Sequence, residues 1–109
     1  MTTKNNNGKK EAVTQTDKYI IHGYRWFDKI NGNTYHTVTI DRVRDHKRIY
    51  ESEFIVYGYD EQYKQTAYDE LIKLELVKEE DRFNHTLNRD RFFYYVTDVN
   101  RKKDLTRGF

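Results

Sequence analysis

The side chains best suited to chemistry in this sequence are four histidines, because the chain of 109 residues contains no cysteine. That absence excludes disulfides, thiolate metal sites and cysteine nucleophiles. No two histidines have the i, i+4 spacing of a helical zinc site, and no cluster of carboxylates indicates magnesium. The sequence also lacks a glycine-rich phosphate loop and a nucleophile elbow. We therefore predict no metal and no cofactor, and an enzyme is the less favoured class.

One enzymatic alternative stays open, a small nuclease in which His36 acts as the general base. Such a base needs a second polar group within reach, and the sequence identifies none. His22 is predicted to face Asp41 across a hairpin, which we interpret mainly as a surface contact.

Aromatic residues beside an arginine are a stronger signal, and they indicate binding. Rings stack on bases or pack in protein interfaces, and a guanidinium binds phosphate or stacks in turn. The consensus of the common four-stranded RNA-binding platform is absent. The candidate ligand-binding residues are Tyr24, Arg25, Trp26, Tyr35, His36, Thr37, Tyr57 and Tyr59.

Most of these residues belong to a predicted β-hairpin whose turn is Asn31-Gly32. Asn-Gly best accepts the positive φ angles of a two-residue type I′ turn. A two-residue turn sets a register in which Trp26 faces Thr37 and Tyr24 faces Thr39.

Alternation along the two strands then separates a core face from a candidate binding face. The Trp26 face is too polar for a dry core and too aromatic for a plain solvent face. Alternatively, Tyr24 and Trp26 pack under a neighbouring loop or a partner subunit, since such rings bury area while keeping a polar tip wet. The predicted core face carries Ile21, Phe27, Val38 and Ile40.

The whole pattern predicts an α+β fold, an antiparallel β-meander of three to four strands with one α-helix packed on one face. Asp60 is the predicted N-cap of the helix, whose apolar stripe recurs at helical spacing through Tyr63, Ala67, Leu71 and Leu74. The last strand either joins the meander as a fourth strand or pairs across a subunit interface. The predicted strands are 19–29, 33–43, 48–57 and 91–99, and the predicted helix is 61–77.

Charge and composition suggest how the chain is divided. We predict a flexible basic tail over residues 1–17, a single α+β domain over 18–99 and a basic C-terminal tail over 100–109. The net charge of +2 is unremarkable, but residues 69–81 are acidic while both ends are basic. Such a split can steer a polyanion toward one side of the molecule, and it is also typical of ordinary solvated surfaces.

Aromatic content and hydropathy bear on assembly and location. Ten tyrosines, and the run Phe92-Phe93-Tyr94-Tyr95, are more aromatic surface than a small monomer normally exposes. We expect a homodimer or higher homo-oligomer, with that strand or the Trp26 face at the contact. No apolar run is long enough for a membrane span or a signal peptide, so we expect a cytoplasmic protein with no membrane partner.

Several short motifs occur together between roughly Tyr24 and Leu71. They are Trp26-Phe27, the segment from Gly32 to His36, Tyr57-Gly58-Tyr59, Gln62-Tyr63 and Thr66-Ala67. With these motifs, this part of the sequence resembles a set of small uncharacterised proteins encoded by tailed bacteriophages. The resemblance implies a phage accessory protein, such as one that counters a host defence, working in the host cytoplasm. It implies no catalytic residue.

Taken together, these patterns predict a small non-enzymatic binding protein that acts on nucleic acid, a nucleotide signal or a host defence protein. The first alternative is a sequence-tolerant nucleic-acid-binding module whose basic tails hold phosphates. The second is the nuclease centred on His36.

Overall fold

The structure is a computed structural model and describes residues 17–107. It has α+β architecture, which confirms the predicted fold class. The strands are β1 (Tyr19–Asp28), β2 (Asn33–Arg42), β3 (Lys47–Glu51), β4 (Val56–Tyr57) and β5 (Phe92–Val99). The helices are α1 (Gln62–Lys73) and the single turns α2 (His85–Asn88) and α3 (Asp104–Arg107), with a 3-10 turn at Glu79–Asp81.

The sheet is mixed, with strand order β3-β2-β1-β5 and β4 paired to β2. Its first strands are antiparallel, as predicted, but β5 lies parallel to β1. The last strand therefore joins the sheet on the far side of β1 and is not the next strand of a meander. Parallel pairing needs a long crossover connection, and α1 with residues 74–91 supplies it.

The single third strand predicted over 48–57 is divided into β3 and β4 at Ser52. The Ser52 hydroxyl accepts a hydrogen bond from the Val38 amide at 2.9 Å and donates one to the Val38 carbonyl at 3.2 Å. A side chain thus takes up backbone groups of β2 that a continuous strand would have paired, and the ladder is interrupted.

The β-hairpin is present, but its turn is wider than predicted. β1 ends at Asp28 and β2 begins at Asn33, so the loop has four residues. Gly32 has a φ of +74° and Asn31 is not among the positive-φ residues, whereas a type I′ turn requires positive φ at both central positions. The Asp28 carboxylate accepts from the Ile30 amide at 3.0 Å and from the Asn31 side chain at 2.8 Å. These bonds hold the wider loop.

The wider loop shifts the register by two residues. Trp26 pairs with Tyr35, where Thr37 was predicted, and Tyr24 pairs with Thr37, where Thr39 was predicted. Because side chains alternate with a period of two, an even shift leaves every residue on its predicted face.

The core lies between α1 and one face of β1, β2 and β5. Tyr63 of α1 lies directly on Gly23 of β1, where a Cβ atom would come within 2.4 Å of the tyrosine ring. Near the middle of the helix, Tyr68 packs edge-on against Phe92, with ring centroids 6.0 Å apart. The buried core residues are Tyr19, Ile21, Val38, Ile40, Tyr63, Ala67, Tyr68, Leu71 and Phe92.

Phe27 was predicted to be in this core, but it is 52% exposed. The reason is the placement of α1, whose first buried residue, Tyr63, already lies over Gly23. Phe27 extends beyond the end of the helix, so no helical residue covers it.

Both ends of α1 differ from the prediction. Asp60 has a φ of +58°, and the N-cap position belongs to Glu61, which makes no capping hydrogen bond with its side chain. At the other end, Glu75 adopts a left-handed φ of +62° and the Leu76 amide donates to the Leu71 carbonyl at 3.0 Å. This is a Schellman motif, which ends the helix at Lys73, before the predicted end at residue 77, and leaves Leu74 44% exposed.

Residues at both ends of the described part of the chain make buried contacts. Leu105 of α3 is fully buried, and its carbonyl accepts a hydrogen bond from the Thr37 hydroxyl, so residues 100–107 cover part of the second sheet face. At the other end, Asp17 is buried and accepts from Arg44 at 3.0 Å. Residues 1–16 of the predicted basic tail lie outside the described residues. Within the described part of the chain, no helix has the length and apolar character needed to cross a membrane.

Candidate nucleic-acid interface

Three aromatic rings form a row across the face of the sheet that α1 does not cover. Trp26 of β1 pairs with Tyr35 of β2, which in turn pairs with Tyr57 of β4. The Trp26 and Tyr35 rings are nearly parallel with centroids 6.0 Å apart, and the Tyr57 ring meets Tyr35 edge-on at 5.8 Å. Trp26 and Tyr35 are half-buried and Tyr57 is 62% exposed. We call Trp26, Tyr35 and Tyr57 the aromatic row.

Basic residues of the C-terminal segment lie on the same side of the sheet. The carbonyl of Leu105, three residues after Lys102, accepts a hydrogen bond from the hydroxyl of Thr37. Thr37 shares a face of β2 with Tyr35, so the segment that carries Lys102 packs on the face of the aromatic row. Lys103 is also exposed, and both lysines border a groove that contains the exposed ring of Phe54.

A second aromatic pair lies further along β1 on the same face. The His22 and Tyr24 rings stack with centroids 4.3 Å apart, and His22 Nε2 is 2.7 Å from the Thr97 hydroxyl. Burial lowers the pKa of His22. The prediction that His22 faces Asp41 is wrong, because the register shift places Thr39 opposite His22.

Arg25 lies on the opposite face and is not part of the aromatic row. It forms a bidentate pair with Asp98 of β5, through Nε at 2.8 Å and Nη2 at 3.2 Å. Its Nη1 donates to the Asp60 carbonyl at 2.8 Å. Hydrogen bonding to Asp98 raises the pKa of Arg25. These bonds join β1, β5 and the segment before α1, so the guanidinium is already occupied.

His36 is fully buried between β2 and α1. Its Nδ1 is 3.1 Å from the Gly58 carbonyl oxygen and its Nε2 is 2.7 Å from the Thr66 hydroxyl. Burial lowers the pKa of His36, which favours the neutral ring. A general base must reach the proton that it removes, and both nitrogens of this ring are engaged inside the protein. The geometry gives His36 a structural role and does not support a nuclease centred on it.

The structure thus brings together some of the predicted site residues and separates others. Thr37 is buried beneath α3, and Tyr59, in the segment between β4 and α1, is 70% exposed. The lysines at positions 102 and 103 were not among the predicted site residues. The sequence shows that both residues are basic, but we assigned them to the C-terminal tail. So short a segment has no periodicity that would indicate packing on the sheet.

No set of three or more histidine, aspartate and glutamate side chains between residues 17 and 107 is arranged to hold a metal ion. Neither a protein-family model nor a curated protein matches the chain. Among solved structures, it has a likeness to Ciona intestinalis Endonuclease V in complex with a 23mer DNA containing an inosine followed by a ribo-adenosine. That likeness has a TM-score of 0.34 and 18% identity, and it covers 62% of this chain and 32% of that chain. The match spans about a third of that protein, and a likeness this low carries no argument about fold or function.

Proposed function

We propose that this protein binds single-stranded nucleic acid, without preference for sequence, on the face that carries the aromatic row. The observation behind the proposal is the row itself, three rings in register across three strands, on the face against which the segment containing Lys102 packs. Bases of a single strand are free to stack on such rings, whereas those of a duplex are already stacked. Stacking is tolerant of sequence because every base has a π-face.

Phosphates would be bound mainly by lysines in this arrangement. Several arginines of the described chain are already paired with carboxylates, as in the pairs Arg42–Asp45 at 2.7 Å and Arg48–Asp41. For two or three phosphate contacts, we expect a weak salt dependence. A plot of the logarithm of the association constant against the logarithm of the salt concentration should have a slope of only about −1.4 to −2.1. The main part of the binding free energy is then stacking.

The broader part of the proposal concerns biological context. The resemblance of Tyr24 to Leu71 to phage proteins supports an accessory role in infection, such as countering a host defence. A nucleotide signal contains the same base and phosphate and is the related small ligand to test. A host defence protein that packs on the aromatic row is the other partner we propose for this role.

The test uses Trp26, the single tryptophan of the chain, as its own reporter. Binding of a short oligonucleotide should quench its fluorescence, and fluorescence anisotropy of a labelled strand gives the affinity. Trp26→Ala should weaken binding by about 5- to 150-fold, which corresponds to about 1–3 kcal/mol for one stacked base. Phe27→Ala is the matched control, because Phe27 is an exposed ring next in sequence but on the opposite face.

Two further measurements separate the site from general effects. Lys102→Ala with Lys103→Ala should reduce the salt slope, while Lys47→Ala, at the exposed start of β3, should not. Ile40→Ala should reduce stability, because Ile40 is fully buried. If Trp26→Ala unfolds the protein as badly as Ile40→Ala does, or if Phe27→Ala weakens binding equally, the proposed site is wrong.

A further inference from the structure

The two edges of the sheet are built differently. β3 forms one edge; it has five residues, three of them charged, and the register of its pairing with β2 is broken by a bulge. β5 forms the other edge and pairs with β1 without interruption over eight positions, from Tyr19–Phe92 to Trp26–Val99. Among residues 17–107, no strand pairs with the outer side of β5.

The β5 edge lacks the features that normally prevent edge-to-edge pairing. Proteins protect such edges with charges, proline, bulges or short strands. Residues 92–97 contain no charge and no proline. Their apolar side chains are also accessible, with Phe93 41%, Tyr94 39%, Tyr95 56% and Val96 44% exposed.

We propose that β5 pairs with β5 of a second copy of this chain, antiparallel about a two-fold axis at Tyr95. Identical edges meet in this way in a closed two-fold dimer. Tyr94 then lies opposite Val96 of the partner subunit, and Phe93 lies opposite Thr97 of the partner subunit. Residues 93–97 of one copy pair with residues 97–93 of the other, so the central part of the ladder contains no charged residue. A neutral apolar edge does not attract a charged peptide. The β5 edge of a second copy is also neutral and apolar, so it is the complementary partner.

This arrangement has a geometric consequence beyond the proposed function. A two-fold axis perpendicular to the sheet keeps each face on its own side. The dimer therefore has one continuous sheet, with both copies of α1 on one face and both aromatic rows on the other. Since a strand pair buries less than the roughly 800 Å² per partner of a stable interface, we expect dissociation in the micromolar range.

The test measures the mass of the full chain by sedimentation equilibrium between about 1 and about 200 µM, a range that brackets weak interfaces. The wild type should move from monomer toward dimer. Tyr95→Lys and Tyr95→Glu should each be monomeric, because like charges meet at the axis. An equimolar mixture of the two should form dimers again. Tyr59→Lys, at another exposed tyrosine, should dimerise like the wild type.

Hydrogen exchange of the wild type gives an independent measurement that does not depend on any variant folding. Amides of β5 that point away from β1 should become protected as concentration rises. The proposal is overturned if the wild type stays monomeric, if Tyr95→Lys still dimerises, or if the mixture stays monomeric. Protection of these amides in a monomer would also overturn it, because the edge would then be covered within one chain.

Discussion

Titratable side chains in this protein connect elements of the fold. His36 joins β2 to the segment before α1 and to α1 itself, through the Gly58 carbonyl and the Thr66 hydroxyl. Arg25 joins β1 to β5 through Asp98. Both residues are of types that suit catalysis or phosphate binding, but their hydrogen bonds are made within the domain. Residue type alone therefore does not distinguish a ligand-binding side chain from an internal connection.

The burial of His36 predicts a pH dependence of stability. Its pKa is lowered in the folded state, so the unfolded state binds more protons as the pH falls through the ordinary value of about 6.5. The free energy of unfolding should therefore decrease between about pH 7.5 and about pH 5.5. His22, whose pKa is also lowered, contributes in the same direction.

Urea unfolding at several pH values measures this effect. His36→Gln should be less stable than the wild type at the upper end of the range but lose less stability toward the lower end. His85→Gln, the same substitution at an exposed histidine, is the matched control. An unchanged profile in His36→Gln would contradict a buried neutral ring.

At the scale of elements, the β1–β2 hairpin determines which side chains are opposite one another. Its loop depends on the Asp28 carboxylate and on the left-handed conformation of Gly32. The aromatic row follows from this loop, because the resulting register pairs Trp26 with Tyr35. With a two-residue turn, Trp26 would lie opposite Thr37 and the two rings would not be directly paired.

Gly32→Val should destabilise the hairpin by about 1–2 kcal/mol, because a residue with a Cβ resists the left-handed region. No atom lies within 4 Å of the position that a Cβ would occupy, so the expected cost is conformational and not steric crowding by neighbours. Gly32→Asn is the control and should cost less, since asparagine tolerates this region better. Equal melting temperatures for the wild type and the valine variant would argue against the left-handed φ.

At the scale of the whole molecule, α1 and the C-terminal segment cover opposite faces of one sheet. Leu105 is the anchor of the second layer, and it is buried together with Thr37 and Thr39 of β2. The segment also carries Lys102 and Lys103. The same contact thus stabilises the domain and positions the basic residues of the proposed site.

Leu105→Ala should lower the free energy of unfolding by about 2–5 kcal/mol, the usual cost of truncating a fully buried leucine. Thr106→Ala, at the next and exposed residue, should change stability little. Denaturant unfolding compares the two variants directly. A loss below about 0.5 kcal/mol for Leu105→Ala would match a surface position and contradict the packing of α3 on β2.

Part of the candidate site was predictable from the sequence. Alternation along a strand placed Trp26 and Tyr35 on one face and Arg25 on the other, because opposite orientation of neighbouring side chains is a local property of strands. The same alternation placed His36 on the core face with Val38 and Ile40, but it could not identify the hydrogen bonds that make the ring structural. Those bonds are made with Thr66 and Gly58, which are 30 and 22 residues away in the chain.

The sequence by itself determined the types of the long elements and the faces of their side chains. β1, β2, β5 and α1 follow periods of 2 and 3.6, which are repeated within each segment and need no distant partner. Only the tertiary structure decided the hairpin register, the parallel position of β5 beside β1 and the packing of Leu105. The register depends on the hydrogen bonds of one carboxylate in a loop. The other two features depend on the free energy of contacts between residues far apart in the chain. Such interactions leave no periodic signal in the sequence.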